Sequence, residues 1–216
     1  MYREPDGSFF MERKHTAIIG ELHKVGAAKI DFNKGWTLKS GLWSPIYINL
    51  RILQSHPKLL TDIASELKKL IVKKNVRYDS IASIPLGGLP LGIALSLATR
   101  KPHILPRMDS KKHGLGVKVD GIYSKGDQVL LVDDLITAAT SKLEAIEELN
   151  KAGLTVEDIL VVLDRQQGGK EILTQKKFNL HALFTFDEFL KSLLMQKKIS
   201  REIYLKITDY LEKTKK

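Results

Sequence analysis

The sequence contains no cysteine, no long apolar run and no apolar leader. The absence of cysteine from the 216 residues excludes disulfides, thiolate metal sites and cysteine nucleophiles. The longest apolar runs, such as 129–132 and 159–163, are far shorter than the ~20 residues of a membrane span. The N-terminal segment has acidic residues and a Pro-Asp-Gly turn where a signal peptide needs an apolar stretch. These absences predict a soluble, cytoplasmic protein with no membrane partner.

Aromatic residues are also scarce, at 7%, and no pattern of interleaved aromatic and basic residues typical of RNA binding is present. The net charge is +10, and much of the basic excess lies in lysine pairs that are typical of solvated helix ends and faces. We therefore expect no nucleic-acid partner. A positive field that attracts a small polyanionic molecule is the better interpretation of the charge.

Hydrophobic spacing predicts an α/β fold. The predicted helices are one or two over 11–29, one from Pro57, 90–98, 140–152 and two over 186–216. The predicted strands are 36–38 and 46–48, joined through 41–45, and then 80–84, 103–105, 129–132, 159–163 and 180–184. Strands that alternate with helices favour a mostly parallel sheet, with ligands at the carboxyl ends of its strands.

The richest local signal is the segment 129–141, Val-Leu-Leu-Val-Asp-Asp-Leu-Ile-Thr-Ala-Ala-Thr-Ser. An apolar strand runs into Asp133 and Asp134, and a short turn then leads into a helix. The N–H groups of such a turn and the positive end of the helix dipole suit a phosphate, whereas the acids suit hydroxyl groups or a divalent cation. A ribose 5-phosphate meets both demands. The alternative is an acidic strand end followed by an ordinary Thr/Ser helix cap.

This segment resembles the phosphoribosyl diphosphate (PRPP) motif of type I phosphoribosyltransferases, and four further blocks are similar to orotate phosphoribosyltransferases. Residues 36–51 resemble that family's orotate-binding strand pair, 87–91 its diphosphate-binding turn, 107–114 its mobile catalytic loop and 163–169 its block near the orotate carboxylate. The family occurs as free enzymes and as the first domain of UMP synthase. The resemblance runs from about residue 16 to the end.

The resemblance implies the type I phosphoribosyltransferase fold, with a mostly parallel central sheet flanked by helices. We expect a loose N-terminal tail over 1–11 and a single domain over 12–216, with no second enzymatic domain. A small hood is expected from about 12–55 together with the C-terminal helices, and a flexible catalytic loop over about 108–120, where the sequence is polar and rich in glycine and lysine.

The implied reaction converts orotate and PRPP to orotidine 5′-monophosphate and diphosphate in pyrimidine (UMP) biosynthesis, with magnesium as cofactor. Catalysis of this kind is mainly positioning and electrostatic stabilisation, because the bond that breaks at the ribose needs little acid–base chemistry. Magnesium is expected to be held through substrate oxygens and water, with no direct protein ligand. A homodimer is implied, with the catalytic loop donated to the neighbouring subunit.

The implied roles fall on specific residues. The catalytic residues are Lys111, His113, Asp133 and Asp134. The PRPP-binding residues are Gly87, Arg107, Lys111, Lys112, His113, Asp133, Asp134, Thr137, Ala138, Ala139, Thr140 and Ser141. The orotate-binding residues are Lys39, Tyr47, Thr137 and Arg165. Alternatives stay open for three of these: Lys39 as an exposed strand residue, Arg165 as a partner of Asp164, and Tyr47 as a core aromatic.

Three positions depart from the family pattern. Ala139 replaces a glycine in the phosphate turn, which costs roughly 1–2 kcal/mol if its φ is positive. Met108 replaces a lysine, and a lost charge-assisted contact in the transition state costs about 2–4 kcal/mol. Leu86-Gly87 replaces an aromatic residue followed by Lys or Thr. Two other functions therefore remain as alternatives: a PRPP-binding regulatory relative with weak or no catalysis, and a phosphoribosyltransferase for another base.

Overall fold

The computed structural model describes residues 2–3, 9–10, 13–37, 43–107 and 119–214. The chain forms two compact units, one from Met1–Ile52 with Asp187–Lys216 and the other from Leu53–Phe186. The boundaries of the predicted tail, domain and hood stay predictions. No described helix is long and apolar enough to cross a membrane.

The described helices and strands follow in chain order. The helices are α1 (Arg13–Lys24), α2 (Pro57–Lys73), α3 (Leu89–Thr99), α4 (Thr140–Lys151), α5 (Gly169–Gln175), α6 (Phe186–Met195) and α7 (Arg201–Thr214). The strands are β1 (Tyr2–Arg3), β2 (Phe9–Phe10), β3 (Ala28–Ile30), β4 (Trp36–Thr37), β5 (Trp43–Ser44), β6 (Ile46–Ile48), β7 (Ser80–Ser83), β8 (His103–Pro106), β9 (Val119–Asp120), β10 (Gln128–Ile136), β11 (Thr155–Asp164) and β12 (Asn179–Thr185). A short 3₁₀ helix covers Leu50–Ser55.

The larger unit is built on a six-stranded sheet in the order β12-β11-β10-β7-β8-β9. All neighbours pair in parallel except β9, which runs antiparallel to β8. The helices α2 to α5 pack on the strands of this sheet. The prediction of a mostly parallel sheet flanked by helices is therefore confirmed.

The core of this unit follows from the sequence periodicities. The strands β10 and β11 are almost continuously apolar, because both of their faces are covered. Helix α4 contributes Ala145, Ile146 and Leu149 to the same core cluster as Leu131 and Val161. Their spacing in α4 is that of one helix face, so this face of the helix is buried against the sheet.

The smaller unit corrects two predictions. Helix α1 ends at Lys24 rather than near Lys29, because Gly26 takes a positive φ of 77° and ends the helical path. The predicted strands over 36–38 and 46–48 do not pair with each other. Instead β4 pairs with β5 and β6 pairs with β3, both antiparallel, and β3 lies where the helix was expected to continue.

Part of each predicted irregular segment is strand. Within the predicted tail, β1 pairs with β2. The predicted loop over about 108–120 lies outside the described residues except for Val119 and Asp120, which form β9.

Candidate active site

The candidate site lies at the point where the strand order reverses. From β7 the chain continues to β8 on one side, whereas β10, β11 and β12 follow on the other side. Open α/β sheets bind ligands in the crevice at such a point, so the carboxyl ends of β7 and β10 are the expected place for a ligand. The predicted diphosphate turn follows β7, and the predicted phosphate turn follows β10.

Close backbone approach explains the glycines after β7. A Cβ atom on Gly88 would lie 2.5 Å from the carbonyl oxygen of Val132 and 2.9 Å from the Cα of Asp133. A Cβ atom on Gly87 would lie 2.7 Å from Oδ2 of Asp134. The turn after β7 is thus brought directly against the two acidic residues of β10. The Pro85–Leu86 peptide bond in this turn is cis.

The phosphate turn is not an ordinary side-chain cap. The N-cap residue of α4 is Ala139, with φ 62° and ψ −3°, and no side chain accepts a hydrogen bond from the first turn of the helix. The first N–H groups of an α-helix have no intrahelical acceptor. The N–H of Lys142 donates to the carbonyl oxygen of Ala139, and those of Thr140 and Ser141 remain for an anion. The interpretation as a Thr/Ser cap is therefore wrong. Because the φ of Ala139 is positive, the cost of roughly 1–2 kcal/mol for alanine at this position applies.

The two acids occupy different environments inside β10, which continues to Ile136 rather than ending before Asp133. The strand continues because Leu135 and Ile136 still pair with β11. Asp133 is 5% exposed, and its Oδ1 accepts the N–H of Asp134 at 2.8 Å. Burial and, next, the charge of Asp133 raise the pKa of Asp134 to about 7.

Lys142, which the sequence analysis did not assign, is the partner of Asp133. Its Nζ donates to Oδ2 of Asp133 at 2.5 Å and to the carbonyl oxygen of Leu135 at 2.6 Å. The lysine is only 4% exposed. Positions 142, 145, 146 and 149 share the buried face of α4. A lysine on an otherwise apolar helix face is unusual, because lysine is almost never fully buried unless it is paired. This pattern in the sequence could have identified Lys142.

The block after β11 closes the other side of the phosphate turn. The N–H of Arg165 donates to the carbonyl oxygen of Ile136 at 3.0 Å, and the guanidinium lies 5.8 Å from the ring centroid of Phe186. A Cβ atom on Gly169 would collide with the carbonyl oxygen of Thr137. Arg165, which is 7% exposed, therefore follows the strand directly beside the turn.

Arg107, a predicted diphosphate contact, pairs with Asp120. Its Nε and Nη2 donate to the two carboxylate oxygens of Asp120 at 2.9 and 2.8 Å. This bidentate pair raises the pKa of Arg107 and lowers the pKa of Asp120. The pair joins the two ends of the predicted catalytic loop.

In the smaller unit, Tyr47 stacks on Trp36, with ring centroids 5.8 Å apart and an interplanar angle of 25°. Tyr47 is half-buried, so it is not a core aromatic. Trp36 is not among the site residues predicted from the sequence. Lys39, Lys111, Lys112 and His113 lie outside the described residues. Among the residues that are described, no group of three or more His, Cys, Asp or Glu is placed to hold a metal ion.

The chain is similar in sequence to proteins of known function. No family model matches the chain. The chain is 38% identical over 157 residues to an orotate phosphoribosyltransferase of Pyrococcus horikoshii, covering 73% of this chain and 84% of that protein. It is 31% identical over 196 residues to uridine 5′-monophosphate synthase of Bos taurus, covering 91% of this chain but only 40% of that longer protein.

Solved structures of UMP synthase and of orotate phosphoribosyltransferase are similar in fold to this chain. The structure of Leishmania donovani UMP synthase matches with a TM-score of 0.82 at 31% identity, over 92% of this chain and 42% of that chain. Orotate phosphoribosyltransferase of Mycobacterium tuberculosis in complex with PRPP matches with a TM-score of 0.67 at 19% identity, over 82% of this chain and 98% of that chain. At this identity the second match shows the fold alone.

The extent and identity of the match to the Pyrococcus horikoshii enzyme go beyond a shared fold. The type I phosphoribosyltransferase fold is shown by the sheet and by the structural neighbours together. The chain belongs to the orotate phosphoribosyltransferase family, a family of pentosyltransferases of pyrimidine biosynthesis.

Proposed function

We propose that this chain transfers the phosphoribosyl group of PRPP to orotate, and releases orotidine 5′-monophosphate and diphosphate. The observation that carries the proposal is the turn before α4, led by Ala139 and without a side-chain cap, at the end of the strand that carries two acids at the centre of a parallel sheet. A family resemblance alone would not distinguish a phosphate turn from a capped helix. A helix N-terminus with no side-chain cap, flanked by carboxylates, suits a molecule that carries both phosphate and hydroxyl groups.

The proposed binding mode divides PRPP between the two turns. The 5′-phosphate is bound by the backbone and hydroxyls of residues 137–141, and the ribose hydroxyls are bound by the acids of β10. The diphosphate is placed on the Gly87 turn, which lies against Asp134. Such a mode fixes the ribose between two anchored ends, so positioning supplies much of the rate enhancement.

Arg165 is the proposed partner of the orotate carboxylate, because a guanidinium binds a carboxylate bidentately. It follows β11 directly beside the phosphate turn, so its placement supports a base site next to the ribose. Thr137 is proposed to contribute to the same site. The assignments of Lys39 and Tyr47 to orotate stay predictions that rest on the resemblance.

Magnesium is proposed as the cofactor, carried on the oxygens of PRPP and on water. The residues present fit this, because the carboxylate of Asp134 beside the Gly87 turn offers hard oxygen atoms that suit such a hydrated ion. When bound, magnesium neutralises charge on the leaving diphosphate. Lys111, His113 and Arg107 are the proposed cations on the protein side. For Arg107 this role requires it to exchange its pairing with Asp120 for the ligand.

A homodimer is the proposed assembly, with the loop over about 108–120 donated to the neighbouring subunit. Helix α3 supports an interface because it carries no charged residue, and its Ile93 and Leu97 are 45% and 77% exposed on one face. The cytoplasmic location and the absence of a nucleic-acid partner stay predictions.

The test follows orotate absorbance with purified protein, PRPP and magnesium, with uracil and adenine as competing bases. We expect loss of orotate that depends on PRPP, and no loss of the other bases. Asp134→Asn should slow the reaction strongly. Consumption of another base would replace orotate as the substrate, whereas PRPP binding without turnover of any base would favour a regulatory protein.

A further inference from the structure

A lysine lies inside the protein beneath the phosphate turn. Lys142 is the third residue of α4, and only 4% of it is exposed. It occupies the first position of the buried helix face that continues with Ala145, Ile146 and Leu149. An apolar residue would satisfy packing at this position, because the rest of the face contributes to the apolar core.

Stability alone does not account for this choice. Burial of an ion pair is often no better for stability than burial of apolar residues of similar size, because both charges lose their hydration. A cation in the first turn also opposes the positive end of the helix dipole. Both effects act against Lys142, so its ammonium group is better explained by what it holds in place.

The contacts of Lys142 connect the two ends of the phosphate turn. Its Nζ reaches back to Asp133 at 2.5 Å and to the carbonyl oxygen of Leu135 at 2.6 Å, both on β10. Its backbone belongs to α4, and its N–H donates to the carbonyl oxygen of Ala139 at 2.9 Å. One residue therefore ties the strand before the turn to the helix after it, across the positive-φ residue.

The same contacts distinguish the two acids. Both oxygens of Asp133 accept hydrogen bonds within the protein, from the N–H of Asp134 and from Lys142. Asp134 accepts the N–H of Leu135 at 2.8 Å, and its carboxylate lies against the Gly87 turn rather than against α4. Lys142 thereby ties Asp133 to α4, whereas Asp134 lies against the Gly87 turn.

We propose that Lys142 is a positioning residue, which pins Asp133 and Leu135 to the first turn of α4 so that the phosphate turn keeps its binding geometry. This inference rests on the proposed function, since it deepens the account of how that site holds PRPP. The turn contacts the same 5′-phosphate before and during the reaction, so a loss of geometry weakens both states alike.

The test compares Lys142→Met with Lys142→Arg, which keeps a cation and donors for Asp133 and Leu135. Lys142→Met should raise the KM for PRPP, and its Kd by calorimetry, at least about tenfold, while kcat and the KM for orotate change by less than about threefold. Lys142→Arg should recover part of the affinity. The control is Lys69→Met, which removes an ammonium from buried Glu66 on α2 and should leave PRPP affinity unchanged.

A second pair of variants keeps the test decisive if Lys142→Met alone fails to fold with Asp133 unpaired. Lys142→Met combined with Asp133→Asn removes both buried charges and should fold. Its KM for PRPP should be no worse than that of Asp133→Asn alone, because the two residues act as one unit. The inference would be overturned if the two single substitutions multiplied their effects on the KM for PRPP in the double variant. An unchanged KM for PRPP in Lys142→Met would overturn it as well. If wild-type protein fails to bind PRPP, the proposed function and this inference both fail.

Discussion

Ala139 has a left-handed backbone conformation at the start of α4. A buried alanine at φ 62° is strained by about 1–2 kcal/mol because its Cβ approaches the following carbonyl oxygen. The family's glycine has no such strain. This chain therefore keeps the shape of the phosphate turn at some cost in stability, and the departure does not remove the backbone donors.

Replacing Ala139 by glycine should relieve that strain, whereas the same change at the exposed neighbour Ala138 only adds chain entropy to the unfolded state. We expect Ala139→Gly to have the higher free energy of unfolding of the two by about 1–2 kcal/mol. Urea denaturation of both variants measures this difference. Equal destabilisation of the two would show that residue 139 is not strained.

Asp134 makes stability depend on pH in a definite direction. The folded carboxyl keeps its proton up to about pH 7, whereas its ordinary pKa is 3.8, so the folded state binds more protons between these values. The free energy of unfolding contributed by this group therefore falls as the pH rises from 4 to 7, by at most about 1.4 kcal/mol per unit.

Asp134→Asn should remove that contribution, because the amide does not titrate. The measurement is the free energy of unfolding of wild-type and variant protein at several pH values from 4 to 8. The free energy of unfolding of wild-type protein should fall steadily relative to that of the variant as the pH rises from 4 to 7. A difference that stays constant with pH would contradict the assigned environment of Asp134.

At the scale of elements, sequence patterns predicted the mostly parallel sheet and a candidate site after β10, but not the contacts within that site. The strands β10 and β11 were predictable because a continuous apolar run indicates a buried strand whatever its packing partners are. The pairing of β4 with β5 and of β3 with β6 was not, since short strands of two or three residues take their partners from tertiary contacts. Helix α5 was missed because seven residues give too little periodicity.

The contact between α5 and the phosphate turn gives a prediction at this scale. Gly169 begins α5 with its Cα against the carbonyl oxygen of Thr137, so Gly169→Ala must push the two segments apart. We expect a loss of about 1–3 kcal/mol in stability together with weaker PRPP binding. Calorimetric titration of PRPP into the folded variant measures the second effect.

The control for this prediction is Gly126→Ala. Gly126 has φ 93° and no atom within 4 Å of an added Cβ, so the change costs stability through backbone strain alone. Its PRPP affinity should equal that of wild-type protein. Equal affinities for Gly169→Ala and Gly126→Ala would mean that α5 does not support the turn.

For the whole molecule, the roles proposed for Lys111 and His113 depend on an assembly. If the loop acts on a neighbouring subunit, the protein must be at least a dimer, and the uncharged helix α3 supplies an apolar surface for it. We expect wild-type protein to sediment as a dimer. The variant Leu97→Glu places a charge on this surface. It should give monomers with little activity, because the interface would lose the burial of an apolar side chain that is exposed in the single chain.

Lys197→Glu is the matched control, since it makes an acidic change at an exposed residue outside α3. It should stay dimeric and active. Active monomers of Leu97→Glu would show that each subunit works alone.

The most direct test of the account is phosphorus NMR of wild-type protein with PRPP, magnesium and orotate. We predict that diphosphate and a new phosphate monoester appear in equal amounts, that both depend on orotate, and that Asp134→Asn slows their appearance. Unchanged PRPP, or diphosphate released without orotate, would contradict the assignment of this crevice as an orotate phosphoribosyltransferase site.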